Sequence, residues 1–267
     1  MKERYPGFFD CVEIPAETEM DARKDTIPHI SAQIPPAEPD NIGAGSALHV
    51  RENHCTMAPG IVGGDLVCCR YYVDDETPEM AEIVQDVNSS PLLKKWGDDR
   101  KLKTHGEIRP ADLAPVLAPD RNGAVSVFPM KWGYSGRSLL INARVETAAV
   151  RPSFREDWVR HRCIAPASWY FEWEHFQDEG GRVRTGKRYA LSPEKGGMTW
   201  LCGLYHIEGG RPAFVILTRE AGDGIRFIHD RMPLILPKDV TEEWIRPGTD
   251  PEALLGSALM DMKFEKR

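Results

Sequence analysis

The chain has 267 residues, enough for one large domain or two small ones with a substantial hydrophobic core. Its apolar fraction of 41% and charged fraction of 28% are typical of globular proteins and exclude a fibrous or fully disordered chain. No run approaches the ~20 apolar residues of a membrane helix, and residues 1–6 lack the apolar character of a signal peptide. We therefore expect a cytoplasmic protein with no membrane partner.

The cysteine pattern argues against both disulfides and metal. Six cysteines are too sparse for a stapled secreted scaffold, and no Cys-x-x-Cys pair is present. We expect reduced thiols, no structural zinc and no cofactor. The six are Cys11, Cys55, Cys68, Cys69, Cys163 and Cys202.

The net charge of −7 is unevenly distributed and does not exclude a nucleic-acid partner. Residues 1–66 hold 11 acidic and 5 basic side chains, whereas residues 67–267 hold 30 acidic and 29 basic ones. Seven of the 21 prolines also fall in residues 1–66, and the apolar residues of this segment show little sustained periodicity. This composition predicts a disordered or loosely attached segment, followed by a near-neutral domain over 67–267 that has room for a local basic cleft.

The ordered part is predicted to begin with a strand over residues 68–73. A helix follows, with Thr77 as N-cap, Pro78 at its first position and apolar residues at helical spacing from Met80 to Val87. Residues 98–122 are polar and interrupted by prolines, which predicts an extended loop. Residues 125–132 predict a strand.

The second half predicts mainly strands. Residues 162–174 alternate strictly and predict one strand, in which Glu172 points away from its aromatic neighbours. Strands over 198–207 and 213–218 are joined by Glu-Gly-Gly-Arg at 208–211, a hairpin signal, and two short helices follow. Strands outnumber helices without a βαβ rhythm, so the predicted class is α+β with a curved, mainly antiparallel sheet.

Four strings carry reactive groups that the fold alone does not explain. Together they supply a thiol, an amide, a carboxyl and an imidazole, with guanidiniums nearby. Each also has a structural interpretation, since buried cysteines and polar strand faces are common. The strings are Cys68-Cys69-Arg70-Tyr71, Asn142-Ala143-Arg144-Val145-Glu146-Thr147, Phe171-Glu172-Trp173 and His229-Asp230-Arg231-Met232-Pro233.

With Met130-Lys131-Trp132-Gly133 and Arg162-Cys163-Ile164-Ala165-Pro166, these strings occur in the order found in SRAP domains. From Val67 to about Leu236 the chain resembles this family, the SOS-response-associated peptidases or abasic-site-processing proteins. Cys69 stands where the family usually has Gly. The resemblance implies a single SRAP-like domain.

The resemblance also implies a chemistry: capture of abasic sites in single-stranded DNA as a covalent thiazolidine, during the DNA damage (SOS) response. The family's nucleophile is an N-terminal cysteine, and that role falls on Cys68. Glu172 matches the acid/base residue, His229 the proton shuttle and Asn142 the amide that positions nucleophile and sugar. The implied activity is lyase-like crosslinking, and the family name adds a cysteine autopeptidase (hydrolase) activity.

The DNA contacts implied by the resemblance involve cations and one aromatic ring. Arg70, Arg144 and Arg231 are expected to hold phosphates and Trp132 to stack on an unpaired base. Arg137 and Arg226 are weaker candidates. The expected partner is single-stranded DNA containing an abasic site, bound by a monomer that is cytoplasmic and associates with the nucleoid when bound to DNA.

The main departure from the family is the segment that precedes Cys68, because thiazolidine chemistry needs a free α-amine. We favour Val67 as the true start, since GTG encodes Val internally and Met at initiation. A propeptide removed by Cys68 is the second explanation. A genuine extension on a protein whose thiol acts otherwise is the third.

Two other functions fit the same residues. A thiol autopeptidase or hydrolase would use Cys68 with His229 and Glu172 and needs no DNA. A non-catalytic binder of single-stranded DNA would use only the cations and needs neither Glu172 nor His229, which favours the crosslinking hypothesis.

Overall fold

The computed structural model describes residues 69–97 and 100–267, so the predictions for residues 1–66 and for Cys68 itself lie outside the described part of the chain. The strands of the described part are β1 Arg70–Val73, β2 Gly106–Ile108, β3 Leu113–Pro119, β4 Val125–Trp132, β5 Asn142–Arg144, β6 Arg162–Ala167, β7 Trp169–Gln177, β8 Val183–Pro193, β9 Thr199–Glu208, β10 Arg211–Glu220, β11 Arg231–Pro233 and β12 Met262–Lys266. Its helices are α1 Pro78–Asn88, α2 Leu93–Trp96, α3 Val145–Ala148, α4 Arg155–Arg160 and α5 Lys238–Ile245, with a 3-10 helix over Glu252–Ser257.

The strands form two sheets. One has the order β12-β8-β7-β1-β2, and the other has the order β11-β10-β4-β3-β6-β9. Because β9 also pairs with β10, the path β10-β4-β3-β6-β9 returns to its first strand and closes into a ring. Only the pairings of β10 with β4 and β5 are parallel among the described strands. The α+β class and the mainly antiparallel pairing are confirmed, with two sheets rather than one.

Aromatic side chains join the two sheets. Tyr71 of β1 lies 5.2 Å from Trp132 of β4, measured between ring centroids, and Trp132 stacks on Phe214 of β10 at 6.1 Å. All three side chains are fully buried. Burial of such large apolar groups is the main stabilising contribution at this contact, about 1.5–3 kcal/mol for each side chain of this kind.

Several predicted elements are confirmed. β4 has the predicted bounds, and the hairpin between β9 and β10 pairs Glu208 with Arg211. Helix α1 begins at Pro78 with Thr77 as N-cap, but the Thr77 side chain makes no capping hydrogen bond. Pro78, which needs no hydrogen-bond partner at a first helical position, is therefore the local start signal.

The predicted loop over residues 98–122 is wrong, because that stretch contains β2 and β3. Its prolines suggested a loop, yet β3 is buried along almost its whole length. Pro115 lies opposite Pro129 of β4, so the two residues that lack an N–H group share one position of the ladder. Burial outweighs the hydrogen bonds lost there.

The single strand predicted over residues 162–174 is two strands in different sheets. Chain direction changes at Ser168, whose N–H donates to the Tyr72 carbonyl at 2.8 Å and whose Oγ accepts from the Asp74 N–H at 2.9 Å. These contacts hold the bend between β6 and β7, and β7 then pairs with β1. Alternation in sequence shows strand conformation but not which sheet a strand joins.

In the described part of the chain, none of the helices combines the length and apolarity that crossing a bilayer requires.

Candidate active site

One edge of β7 is the place where several predicted site segments meet. β8 occupies the other edge of this strand. On the opposite edge, β1 pairs with β7 as far as Phe171. Further along this edge, the N–H of His175 donates to the carbonyl of Ile228 at 3.0 Å. Glu172 lies between these two contacts. The start of β1 and the segment that precedes β11 therefore approach the same stretch of one strand.

Glu172 is a buried carboxyl in the middle of a sheet. It is 3% exposed, and its Oε1 accepts a hydrogen bond from the N–H of Trp173 at 3.1 Å. Its cross-strand partner on β8 is Tyr189. The Tyr189 ring contacts Phe227 at a centroid distance of 6.0 Å, so the segment before His229 reaches the neighbour of Glu172. Glu172 and His229 thus border one region of the molecule.

His229 is held by contacts at a single ring nitrogen. Its Nδ1 accepts from the N–H of Arg231 at 3.0 Å and lies 3.0 Å from Oδ1 of Asp230. The first contact favours the neutral ring with its proton on Nε2, whereas a proton on Nδ1 would be donated to Asp230. Within the described residues no hydrogen bond to Nε2 is found, so this nitrogen is the one able to meet a substrate.

A second histidine lies against His229. The rings of His175 and His229 are 4.6 Å apart between centroids, at an interplanar angle of 58°. Burial, then the neighbouring His175, lowers the pKa of His229 below its ordinary value, and the attraction of Asp230 only partly opposes this. Burial lowers the pKa of His175 as well. Both imidazoles are therefore neutral near pH 7.

The segment with Asn142 and Arg144 reaches the same end of the molecule through β10. Asn142 pairs with Ile216 and Arg144 with Thr218, while β11 pairs along the other side of β10, placing Pro233 opposite Thr218. β10 thus brings β5 and the His229 segment together. The structure places Asn142 half-buried and Arg144 exposed.

Arg231 is engaged by protein groups. Its guanidinium forms a bidentate ion pair with Glu146, at 2.8 and 2.9 Å, and donates to the Thr218 carbonyl at 2.9 Å. Burial raises the pKa of Glu146, but the hydrogen bond and charge of Arg231 outweigh it and hold that pKa below its usual value. A phosphate at Arg231 would compete with Glu146 for the same N–H groups.

Arg70 lies on the opposite face of β1 and β7 from Glu172. It pairs with Glu107 at 2.5 Å, and Arg188 pairs with the other oxygen of Glu107 at 2.5 Å. Arg188 also lies 3.7 Å above the centre of the Phe171 ring. Although burial raises the pKa of Glu107, the two arginines keep it low, so the pairs are ionic.

The structure contradicts the base-stacking role of Trp132. Its side chain is 0% exposed, its Nε1 donates to the Ile141 carbonyl at 3.0 Å, and its ring packs between Tyr71 and Phe214. A base cannot reach either face of this ring. Trp132 is a core residue where the two sheets meet.

Cys68 lies outside the described residues. Its covalent neighbour Cys69 is buried and immediately precedes β1. The weaker candidates differ from each other: Arg137 is exposed, whereas Arg226 donates to the Ala221 carbonyl at 3.1 Å and lies 3.7 Å from Asp223.

Sequence reasoning missed His175, Glu107 and Arg188. His175 lies three positions after Glu172 on the same strand, and Arg188 lies opposite Trp173 in the β7–β8 ladder. The reactive string around Glu172 was the signal for β7. Its partners depend on strand register, which no local pattern determines.

Asp74, Asp75 and His105 form a group of potential metal ligands in the described part of the chain, with ligand atoms within 4.8 Å of one another. His105 Nδ1 is 2.7 Å from Asp75 Oδ1, so this pair is already satisfied. None of the predicted site residues belongs to the group.

The chain is similar to several curated proteins. It is 35% identical over 121 residues to the abasic site processing protein YoqW of Bacillus subtilis, a match covering 43% of this chain and 52% of the relative. It is 34% identical over 137 residues to the abasic site processing protein YedK of Escherichia coli, covering 49% and 60%. With the protein HMCES of Pongo abelii it shares 25% identity over 210 residues, covering 61% and 59%. The match thus spans only a little over half the length of these relatives.

Two solved structures share the fold. A protein from Bacteroides thetaiotaomicron superposes with a TM-score of 0.54 at 20% identity, covering 74% of this chain and 91% of that one. A phage-related protein from Bordetella bronchiseptica gives 0.56 at 21% identity, covering 75% and 94%. Residues 67–266 match the sequence model of the family described as SOS response associated peptidase (SRAP). Because that match spans most of the chain and begins at the residue before Cys68, the protein belongs to the SRAP family.

Proposed function

We propose that this protein processes abasic sites by forming a covalent thiazolidine with single-stranded DNA through Cys68 as an N-terminal residue. The observation that carries the proposal is the β7 edge, where the buried carboxyl of Glu172 lies between the pairing with β1 and the backbone contact with the His229 segment. Cys68 is two residues before that strand. The relatives named as abasic site processing proteins support the same substrate.

The chemistry needs an amine and a thiol on one residue. An α-amine with a pKa of about 7.7–8.0 has a useful neutral fraction near pH 7. It adds to the aldehyde of the opened deoxyribose, and loss of water gives an imine. The Cys68 thiol then adds to the imine carbon, its proton moves to the nitrogen, and a five-membered thiazolidine closes. An internal cysteine cannot react in this way, because its nitrogen is an amide.

Glu172 and His229 are proposed to move the protons. Glu172 protonates the leaving hydroxyl when the carbinolamine loses water. His229 exchanges protons with the opened sugar through Nε2. Its two neighbours at Nδ1 support either tautomer, since Arg231 donates to a bare Nδ1 and Asp230 accepts from a protonated one. The ring can therefore donate or accept a proton at Nε2 without moving.

Asn142 is proposed to position the nucleophile and sugar, and Arg144, which is exposed, to bind a phosphate. Arg70 and Arg231 retain a proposed phosphate role, in which the anion displaces or joins the carboxylates of Glu107 and Glu146.

The test compares three proteins on single-stranded DNA with one abasic site: the full chain, a trimmed chain whose first residue is Cys68, and the trimmed chain with Cys68→Ala. We expect a heat-stable shift on a denaturing gel with the trimmed chain alone. Cys68→Ala keeps an α-amine, so its imine is trapped only by borohydride. A heat-stable adduct with Cys68→Ala contradicts the proposal.

Intact mass separates the origins of the segment before Cys68. If the purified full chain releases residues 1–67 and then crosslinks, the segment is a propeptide. If the full chain stays intact and inert while the trimmed chain crosslinks, a start at Val67 is favoured. If neither protein crosslinks and the full chain cleaves itself, the autopeptidase function replaces the proposal.

A further inference from the structure

Three aromatic rings from different parts of the chain form a cluster beside the proposed site. Tyr189 comes from β8, Phe227 from the segment between β10 and β11, and Phe264 from β12. Their ring centroids lie 6.0 Å apart for Tyr189–Phe227, 5.8 Å for Tyr189–Phe264 and 5.3 Å for Phe227–Phe264, all edge to face. We refer to these three residues as the aromatic patch.

The two phenylalanines of the patch are open to solvent. Phe227 is 50% exposed and Phe264 is 43% exposed, although they touch each other. Single exposed apolar side chains are common on protein surfaces, but adjacent exposed aromatic rings are a feature of binding sites. Phe176 is a useful contrast, because it is 49% exposed and forms no ring contact with any described residue.

The patch adjoins the proposed catalytic residues. Tyr189 lies directly opposite Glu172 in the β7–β8 ladder, and Phe227 is two residues before His229. On the other side of Tyr189, its partner in the β8–β12 ladder is Lys266. Directly opposed residues of antiparallel strands share one face, so Glu172, Tyr189 and Lys266 form a row across the sheet.

The charges around the patch fit a nucleotide. Lys266 is exposed at the end of the row, and Arg226, adjacent to Phe227, is half exposed although its Nε lies 3.7 Å from the exposed carboxylate of Asp223. Successive bases of single-stranded DNA stack on exposed aromatic rings while nearby cations hold the backbone. The ring that the sequence favoured for this purpose, Trp132, is buried, so it leaves that role unfilled.

We infer that the aromatic patch is a base-stacking subsite, where Phe227 and Phe264 hold the base adjacent to the abasic nucleotide in the proposed site. The inference rests on the proposed function for the identity of the strand. Stacking of an intact base beside the lesion would fix the strand so that the sugar without a base lies near Glu172 and His229. No sequence pattern in the base is required, since every base has a π face.

The test measures binding without crosslinking. Fluorescence anisotropy is recorded for the trimmed chain with oligothymidylate and with a strand of equal length made of reduced abasic units, which have neither base nor aldehyde. Phe227→Ala and Phe264→Ala are each expected to weaken oligothymidylate binding by about 5- to 150-fold, the range measured for loss of one stacked base. Binding of the strand without bases, and the salt dependence, should not change.

Matched variants separate stacking from folding and from simple apolar contact. Phe176→Ala removes an exposed ring elsewhere and should bind like the wild type. Phe227→Tyr should retain affinity because it keeps the ring, whereas Phe227→Leu should lose it although it remains apolar. Equal loss for both strands, or wild-type affinity in Phe227→Ala and Phe264→Ala, would overturn the inference.

Two further outcomes have clear meanings. If the wild type is a dimer by sedimentation and Phe227→Ala is a monomer with unchanged DNA affinity, the patch binds a second copy and the inference fails. If the wild type crosslinks an abasic strand while the patch variants bind normally, the proposed function stands and the subsite does not. If the patch variants lose only base-dependent binding and no protein crosslinks, the subsite stands without the proposed function.

Discussion

His229 is buried and His206 is half-buried, and both have acidic neighbours, yet their surroundings move their pKa values in opposite directions. His206 lies between two carboxylates, with Nε2 2.9 Å from Glu208 and Nδ1 3.4 Å from Asp157. Burial lowers its pKa, but these hydrogen bonds and charges outweigh burial and raise it overall. For His229, burial and then the neighbouring His175 lower the pKa, and Asp230 opposes them only in part.

The two surroundings imply different uses. Asp157 also accepts hydrogen bonds from Tyr134 at 2.9 Å and His161 at 2.8 Å, and Glu208 ties the network to Lys131 at 2.9 Å. A histidine with both nitrogens committed to carboxylates fastens α4, β4 and β9 to one another. His229 keeps Nε2 available and stays neutral, as a proton carrier near pH 7 requires. Partners at both nitrogens therefore separate a structural histidine from a reactive one.

The largest expected effect is on the crosslinking rate, after substitution of Glu172. Glu172→Gln keeps the size and the acceptor oxygen for Trp173 but removes the exchangeable proton, so crosslinking by the trimmed chain should slow by about 10²–10⁴-fold with little change in DNA affinity. Single-turnover gels and anisotropy measure the two quantities. Glu174→Gln is the matched control on the same strand and should react at the wild-type rate. Equal slowing in both variants would remove Glu172 from the mechanism.

Substitution of Asp157 tests the structural role of the network around His206. Asp157→Ala leaves the buried Tyr134 hydroxyl without its acceptor, which typically costs about 1–3 kcal/mol, and removes one carboxylate partner from His206 and His161. Urea unfolding measures this loss of folding free energy. The crosslinking rate of the folded fraction should stay unchanged, since this network shares no residue with the β7 edge. A variant that is stable but slow would contradict the division into two sites.

A smaller effect is the pH dependence of stability. His206, with a raised pKa, contributes stability that is fully present below its unfolded value of about 6.5 and is lost as pH rises through the folded pKa. His229, with a lowered pKa, makes the folded state lose stability as pH falls below about 6.5. The stability deficit of His206→Gln should therefore shrink on going from acid to alkaline pH, whereas His229→Gln should flatten the acid loss. If the two substitutions change the pH dependence of folding stability in the same way, the opposite pKa shifts of His206 and His229 are refuted.

The sequence predicted what depends on local patterns. β4, the hairpin at Glu208–Arg211 and the start of α1 at Pro78 follow from alternation, turn residues and proline. The proline-containing β3 was missed because its burial comes from β4, a contact that local propensity does not contain. The change of sheet at Ser168 depends on Tyr72 and Asp74, which lie almost a hundred residues earlier.

The site shows the same division. The reactive strings named Asn142, Glu172 and His229. β10 pairs with both β5 and β11, and the contact between Ile228 and His175 brings the His229 segment to the edge of β7 that carries Glu172. Burial of Trp132 and the contact between His175 and His229 arise from register and packing between distant segments. A motif therefore identifies which groups can react, and tertiary packing decides their surroundings.

His175 allows the smallest and most specific test of the comparison. Its ring contacts His229 from β7, at 4.6 Å between centroids, whereas Asp230 and Arg231 follow His229 in the chain. His175→Asn removes the positive charge that His175 carries in acid and should raise the pKa of His229. The acid limb of the crosslinking rate should therefore move to higher pH, while the rate at pH 8, where both rings are neutral, stays near that of the wild type. The limb that belongs to the α-amine is common to both proteins, so the difference between their profiles isolates His229.

His105→Asn is the control. His105 is an exposed histidine paired with Asp75, and its substitution should leave the profile unchanged. A limb that moves to lower pH would show that His175 stabilises the protonated His229 and would reverse its assigned effect.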